Sequence, residues 1–433
     1  MNIIDKFTDY FESIDTSDDE TNRFMEEKYK GWLQITLIYT KLDRKNIHKT
    51  CIQYFFYVLV VFYHWIFVVV GLIDTMGINF ILYSKGAYYL GFIQMACCGI
   101  ITTTVYRDKL VIFHRSMSKN FYDYKEKDTE FIERFKKECD RDVKLFSIVP
   151  VSTVIGAVIG FVLSPALDKY GTHTPEEISS LNINLPAPII AYQFSTHNNM
   201  GFFFAYFLQV CTGCVVIFII AGGGYLYIIM VQNVCCQLKI LIYSVEKLEE
   251  RADECYYQMS GLKMKHTEKE KFSDQLYDYC YNQCLKKNFE HHQIILRLFD
   301  CVRHFFSVPV FMAYLIASVV IALSLLSNNI RELPGTSITS SVLGCIEVSY
   351  VAFISFLGQE IIDLNDELRV KMYETRWYYA SNQVKNSIKI FQQMTLKPLV
   401  IMSASIVPIN LDTFAMVMNS AYSYYNLINA FSD

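Results

Sequence analysis

Apolar residues gather into seven blocks separated by polar stretches. The blocks run from Ile52 to Ile73, Ile81 to Tyr106, Phe146 to Leu167, Gly201 to Met230, Phe305 to Leu326, Thr339 to Leu357 and Leu411 to Ala430. Each is about as long as a helix must be to cross a ~30 Å hydrocarbon core at about 1.5 Å per residue. The pattern predicts an all-α membrane protein with seven transmembrane helices. The last block is the most polar, with Asp412, Asn419, Ser420, Asn426 and Asn429 inside it.

Beyond Met230 the apolar positions do not stop; they thin to one face. Val234, Leu238, Leu241, Ile242, Val245 and Leu248 recur at helical spacing, with Lys239, Lys247, Glu249 and Glu250 between them. Span four therefore continues as an amphipathic helix. Residues 288–304 and 358–378 extend spans five and six in the same way. Stripes of this kind suit helices that pack together, so an anchor bundle beneath the membrane is expected, with independent surface helices as the alternative. The chain then divides into a polar segment at 1–51, helices one to four over 52–230, a helical anchor at 231–304, helices five and six over 305–357, more anchor at 358–410, and a final helix and tail at 411–433. The loop 168–200, with Pro175, Pro186 and Pro188, is expected to form a lid over the outer face.

Charge sets the direction. Lys and Arg number 8 in residues 1–51, 11 in 107–145, 11 in 231–304 and 6 in 358–410, which is 36 of the 39. Lys85, Lys169 and Arg331 are the 3 on the opposite side. The positive-inside rule puts the N-terminus and the even-numbered loops in the cytoplasm and, with seven spans, the C-terminus outside. That is opposite to a G-protein-coupled receptor, the main rival reading. No Asp-Arg-Tyr follows the third block, and the seventh has no Asn-Pro-x-x-Tyr. No internal repeat suggests a secondary transporter. Only 19% of residues are charged, below the roughly 25% of soluble domains. The net charge of −4 and the lack of an isolated basic block argue against nucleic acid. No cleavable signal precedes the first block, so its helix is expected to direct insertion.

Candidate chemistry is sparse. None of the 13 cysteines falls in the outer loops, so disulfides are not expected. Cys280, Cys284, His291 and His292 fit no common zinc spacing and read as two turns of unrelated helix residues. No nucleophile elbow, phosphate loop or metalloprotease motif occurs, which leaves no enzyme, metal or cofactor to expect. Gly222-Gly223-Gly224 lacks a following Lys-Ser/Thr and reads as close helix packing. On a helical wheel of about 100° per residue, Asp412, Asn419, Ser423, Asn426 and Ala430 fall within about 60° of one another. A polar ridge in lipid must face protein or water. A shared pore and hydrogen bonds to the chain's own helices both satisfy that demand, and the sequence does not choose between them. Glu347 and His64 are further ionisable residues well inside spans. A ligand cavity or vestibule and a structural hydrogen bond are equally open for Glu347, and the structural role leads for His64. Aromatics crowd the outer halves of span two (Tyr83, Tyr88, Tyr89, Phe92), span four (Phe202, Phe203, Phe204, Tyr206, Phe207) and span six (Tyr350, Phe353). In span three Thr153, Gly156 and Gly160 leave space beside them. Aromatic walls with few polar groups suit a small apolar ligand, although each ring alone is more simply a packing or lipid contact.

The C-terminal stretch resembles the insect odorant receptor family. The matching residues are Lys397-Pro398-Leu399, Asn410-Leu411-Asp412-Thr413-Phe414 and Ser420-Ala421-Tyr422-Ser423-Tyr424-Tyr425, with Gly358-Gln359 and Trp377-Tyr378 upstream. The related gustatory receptors carry Thr-Tyr, five apolar residues and Gln-Phe. Here Ser423-Tyr424 and Phe431 stand at those places, and Ala430 replaces the Gln. The resemblance implies a tetrameric, non-selective channel for monovalent and divalent cations in the plasma membrane of a sensory-neuron dendrite. It implies a last helix split into a cytoplasmic part, here 379–396, and a pore part, here 411–430. The pore and gate would fall on Asn419, Ser423, Asn426, Leu427, Ala430 and Phe431. A volatile odorant would be bound among spans two, three, four and six, by Tyr88, Tyr89, Phe92, Thr153, Gly156, Gly160, Phe203, Tyr206, Phe207, Val210, Glu347 and Tyr350. The family's shared co-receptor has a longer fourth-to-fifth-helix loop than 231–304. This chain thus looks like an odorant-tuning subunit that partners the co-receptor in a heterotetramer.

Overall fold

The computed structural model describes residues 47–75, 80–118, 124, 130–169, 185–186, 198–263, 268–327 and 334–432. In chain order the helices are α1 (Ile47–Thr75), α2 (Phe80–Val105), α3 (Arg107–Ser118), α4 (Glu130–Phe146), α5 (Ile148–Lys169), α6 (Asn199–Glu246), α7 (Leu248–Ser260), α8 (Glu268–Lys271), α9 (Gln275–Ser327), α10 (Pro334–Glu374), α11 (Asn382–Thr395) and α12 (Leu411–Ser432). A single turn of 3-10 helix, Trp377–Tyr379, joins α10 to α11. The strands β1 (Met402–Ser403) and β2 (Val407–Pro408) form a small antiparallel hairpin before α12.

Six of these helices, α1, α2, α5, α6, α9 and α10, are long and apolar enough to cross a membrane. Helix α12 lies against α9 and α10, and its polar residues keep it below that level of apolarity. Side-chain exposure gives the reason to place lipid around the bundle. On α1, Phe56, Ile66 and Ile73 are exposed, and on α5, Ile148, Ile155, Ile159 and Leu163 are exposed. Belts of large apolar side chains on this scale are not left facing water in a soluble protein. The chain is a multi-pass membrane protein.

Three helices run without a break from this belt into a second packed region. Helix α6 spans 48 residues, α9 spans 53 and α10 spans 41. Beyond the belt Val231, Val234, Leu238, Leu241, Val245 and Leu248 are all buried completely. They pack with Tyr281, Leu285 and Val302 of α9, Leu357, Ile361 and Leu368 of α10, and Val384 and Ile388 of α11 in one continuous core. The amphipathic stripes thus form a bundle. In this region the Nε2 of Gln232 and the Nζ of the partly exposed Lys239 each donate to a Glu360 oxygen, both at 2.8 Å. Burial opposes the Lys239 charge, but the Glu360 hydrogen bond and charge outweigh it and hold its pKa above the ordinary lysine value.

His291 and His292 belong to the same region. His291 lies 2.6 Å from the Tyr124 hydroxyl and 2.8 Å from Oε1 of Gln237. Its burial pushes its pKa down to about 3, helped by the charges of His292 and Arg251. Cys280 contacts the Met259 sulfur. No group of three or more metal-ligating side chains occurs among the described residues. The hairpin is pinned to α9: the Ala404 amide donates to the Ser307 carbonyl at 2.9 Å, and the Ser307 hydroxyl donates to the Met402 carbonyl at 3.0 Å. Its turn uses positive φ at Ala404 and Ser405, which reverses the chain sharply just ahead of α12.

Candidate functional site: an enclosed cavity and an outward polar ridge

A cavity of about 120 Å³ lies inside the bundle, walled by α2, α5, α6, α9 and α10. Tyr88, Tyr89, Phe92, Thr153, Glu347 and Tyr350 line it. Its aromatic wall includes a stacked pair, Tyr89 and Phe161, with ring centroids 5.5 Å apart. Tyr350 reaches α6 at Gly224, where an added Cβ would stand 2.8 Å from the tyrosine hydroxyl oxygen. Of the glycine run, Gly224 serves close packing, since any larger residue there would push the ring away, whereas Gly223 has no atom within 4 Å of an added Cβ. Among the described residues no hydrogen bond engages the Glu347 carboxyl or the Tyr350 hydroxyl. Both polar ends are therefore open to whatever occupies the cavity. Pro186 also lines it. Residues 170–184 and 187–197, most of the expected lid, lie outside the described residues.

The other six candidate ligand residues lie elsewhere. Gly156 packs on Ile346 and Gly160 on Thr339, where built Cβ atoms would come within 2.8 and 3.0 Å. Phe203 and Phe207 are 69% and 64% exposed and point away from the bundle. Tyr206 is half-buried and donates to the Val162 carbonyl at 3.2 Å, and Val210 is half-buried without lining the cavity. Helix α6 meets the cavity one to two turns further along, at Gly213, Val216, Ile217 and Ile220. Ala313 and Ile316 of α9 complete the wall. Those small and aliphatic residues carry no signal that separates them from ordinary core, so the sequence did not reveal them.

Helix α12 has two unlike sides. Val417 and Ala421 are buried against the bundle core, and Tyr425 and Ile428 pack with α9 residues. Asp412, Asn419, Ser423, Asn426, Leu427 and Ala430 are exposed. The Ser423 hydroxyl donates to the Asn419 carbonyl one turn back, within its own helix. Phe431 is in the last helical turn, and its side chain lies outside the described residues. Among the described residues no hydrogen bond joins this ridge to a neighbouring helix. His64 is a helix-to-helix contact, 3.0 Å from the Val60 carbonyl and 3.1 Å from the Thr212 hydroxyl of α6.

Helix α10 links cavity and ridge. It carries Glu347 and Tyr350, then Gly358, whose Cα faces the Ile409 carbonyl so closely that a Cβ could not fit. Asn410 follows, and its side-chain oxygen accepts from the Thr413 amide at 2.9 Å to cap α12.

Comparison with known proteins agrees with this architecture. The chain is similar in fold to the olfactory receptor OR5 of Machilis hrabei in complex with eugenol, with a TM-score of 0.73 and 11% identity, over 94% of this chain and 100% of that one. The same receptor without that ligand gives a TM-score of 0.71 at 13% identity, over 95% and 99% of the two chains. Odorant receptor 49a of Drosophila melanogaster is 33% identical over 75 residues, 17% of this chain and 19% of the relative. The odorant receptor coreceptor of Anopheles gambiae is 23% identical over 142 residues, 32% of this chain and 29% of the relative. These two alignments span less than a third of either relative's length. The family model for the 7tm odorant receptor matches residues 79–422, most of the chain, and the chain belongs to that family.

Proposed function

We infer that the chain is a subunit of an odorant-gated cation channel that binds a small, volatile, mostly apolar ligand in the cavity and conducts along a pore lined by α12. The observation that carries this reading is the orientation of α12. Its polar residues form the centre of the exposed arc, flanked by Met416 and Leu427 on one side and Tyr422 on the other. Lipid cannot satisfy the Asn side chains or Asp412, so this face needs water or further subunits. Copies of the ridge around a shared axis supply both. The N-terminus is then cytoplasmic, the packed extension lies beneath the membrane, and α12 leads outward.

Family membership and the match to a coreceptor support a heterotetramer with such a subunit. Ligand burial would supply most of the affinity, at roughly 25 cal/mol per Å². Glu347 and Tyr350 would orient an oxygen of the ligand. A ligand opens the channel only by binding the open form more tightly. Movement of α10 at Tyr350 would be passed through the Gly358–Ile409 contact to the start of α12, turning Leu427 away from the axis. Hydrophobic constrictions gate by dewetting, so a small widening suffices.

The test is odorant-evoked current in cells expressing this chain with a coreceptor, combined with thiol-reagent block of Ser423→Cys and Asn426→Cys. Block that quickens during odorant application is the expected result. Thiol reagents that modify both positions without affecting current would remove α12 from the pore. Tyr350→Ala should shift odorant sensitivity about tenfold or more, the equivalent of about 1.4 kcal/mol. The rival metabotropic reading predicts a C-terminal tag hidden in intact cells; here the tag should stain.

A further inference from the structure

A second, smaller cavity of about 60 Å³ lies directly beyond the first, toward the packed extension. The two share Met95, Ile220, Ala313 and Tyr350 as a common wall. The inner cavity continues between α2, α6, α9 and α10 to Thr103, Gly223, Tyr227, Phe306 and Pro309. Its size exceeds the ~10–15 Å³ that holds one water, so it is large enough for several atoms of a ligand.

The chemistry of the inner wall differs from that of the outer one. The Thr103 hydroxyl donates to the Gly99 carbonyl at 2.7 Å, and the Tyr227 hydroxyl donates to the Ile354 carbonyl at 3.2 Å. Both protons are committed to the backbone; Thr102 and the shared Tyr350 are the other polar residues on a surface that is largely aliphatic and aromatic. Water needs two to four polar partners to settle in such a space, whereas an alkyl chain needs none. The outer cavity, by contrast, adds the Glu347 carboxyl to the shared Tyr350. Between the two stands Met95, an unbranched side chain with three rotatable bonds that adapts to irregular gaps. On α6 the wall is bare backbone at Gly223, where an added Cβ would meet no atom within 4 Å.

We propose that the inner cavity is a tail subsite: it receives the terminal alkyl segment of a linear ligand whose polar head lies at Glu347 and Tyr350, with Met95 moving aside as the chain lengthens. The subsite sets which chain lengths the protein accepts, and Gly223 is its specificity-determining position. This rests on the outer cavity being the ligand site. Each methylene that enters raises affinity about fourfold, until the inner end formed by Phe306 and Pro309 is reached.

The experiment uses the full-length protein and 1-alkanols from butanol to dodecanol. In purified protein, alkanols carrying a terminal diazirine are photolysed and the labelled residues located by mass spectrometry. A short alkanol should label the outer wall, such as Thr339 or Phe161, and a long one Thr103, Gly223 or Phe306. Gly223→Val should abolish the inner label and keep the outer one. Gly223→Ala, whose Cβ has free space, should weaken the inner label and guards against misfolding of the larger variant. In cells with a coreceptor, sensitivity to long alkanols should fall at least tenfold in Gly223→Val while short alkanols act unchanged. Outer labelling at every length, or inner labelling that survives Gly223→Val, overturns the tail subsite and leaves the channel reading standing. Inward movement of the label without any evoked current upholds the subsite and overturns the channel reading.

Discussion

The two halves of α6 place their apolar residues in opposite ways. Near its start Phe203, Phe204 and Phe207 point outward and touch little of the protein. Past Met230 the valines, leucines and isoleucines are almost all enclosed, and the polar residues are bonded or turned outward. In the first half the surrounding solvent is apolar, so an exposed phenylalanine costs nothing and helix contacts depend on fit. In the second half the solvent is water, and burial itself drives assembly. One continuous helix therefore carries two rules for what must be inside.

The contrast can be broken from either end. Leu241→Ala in the extension should cost about 2–5 kcal/mol by opening a cavity in a closed core, read as a lower melting temperature of purified protein and weaker expression. Ile159→Lys on the exposed face of α5 should cost about 2.5–3.5 kcal/mol if that face meets lipid. An insertion assay with a glycosylation tag checks this, and an insertion efficiency equal to wild type would mean that the face is wet. Acidity should weaken the extension selectively. Burial lowers the pKa of His291 to about 3 and of His292 to about 4. The unfolded chain takes up a proton on each near pH 6.5 while the folded one stays neutral, so stability is complete above that pH and is lost toward pH 4. Each histidine should contribute about 1 kcal/mol of loss between pH 6.5 and 5.5, and His292→Leu should flatten the melting curve's pH dependence. Glu360→Gln, at a pair still partly exposed, should cost at most about 1 kcal/mol. Asn419→Ala should change stability by less than about 0.5 kcal/mol, and its effect belongs in the current instead.

The legibility of the sequence followed the same division. The first six of the seven apolar blocks and the amphipathic continuations were readable because periodicity reports one helix and its surroundings. The polar ridge of α12 was readable as a ridge, since residues on one face share a fixed spacing. The cavity was only half readable. Tyr88, Tyr89, Phe92, Thr153, Glu347 and Tyr350 line it, but Phe203 and Phe207, aromatic at the same depth, point to the outside. An aromatic side chain looks alike in a sequence whether it faces lipid or a ligand cavity.

The order of the apolar spans, the apolar stripes of the extension and the clustering of polar residues on α12 came from the sequence alone, because each depends on neighbours within a few turns; the helices α3 and α4, within the stretch read as a loop, did not. Which face of α12 turns away from the chain, and which gaps between five helices stay open, depended on the tertiary structure. Those properties belong to several helices at once. A cavity is set by what distant residues such as Gly213, Ala313 and Gly223 fail to fill, and no local spacing records a shortage of volume shared across the bundle.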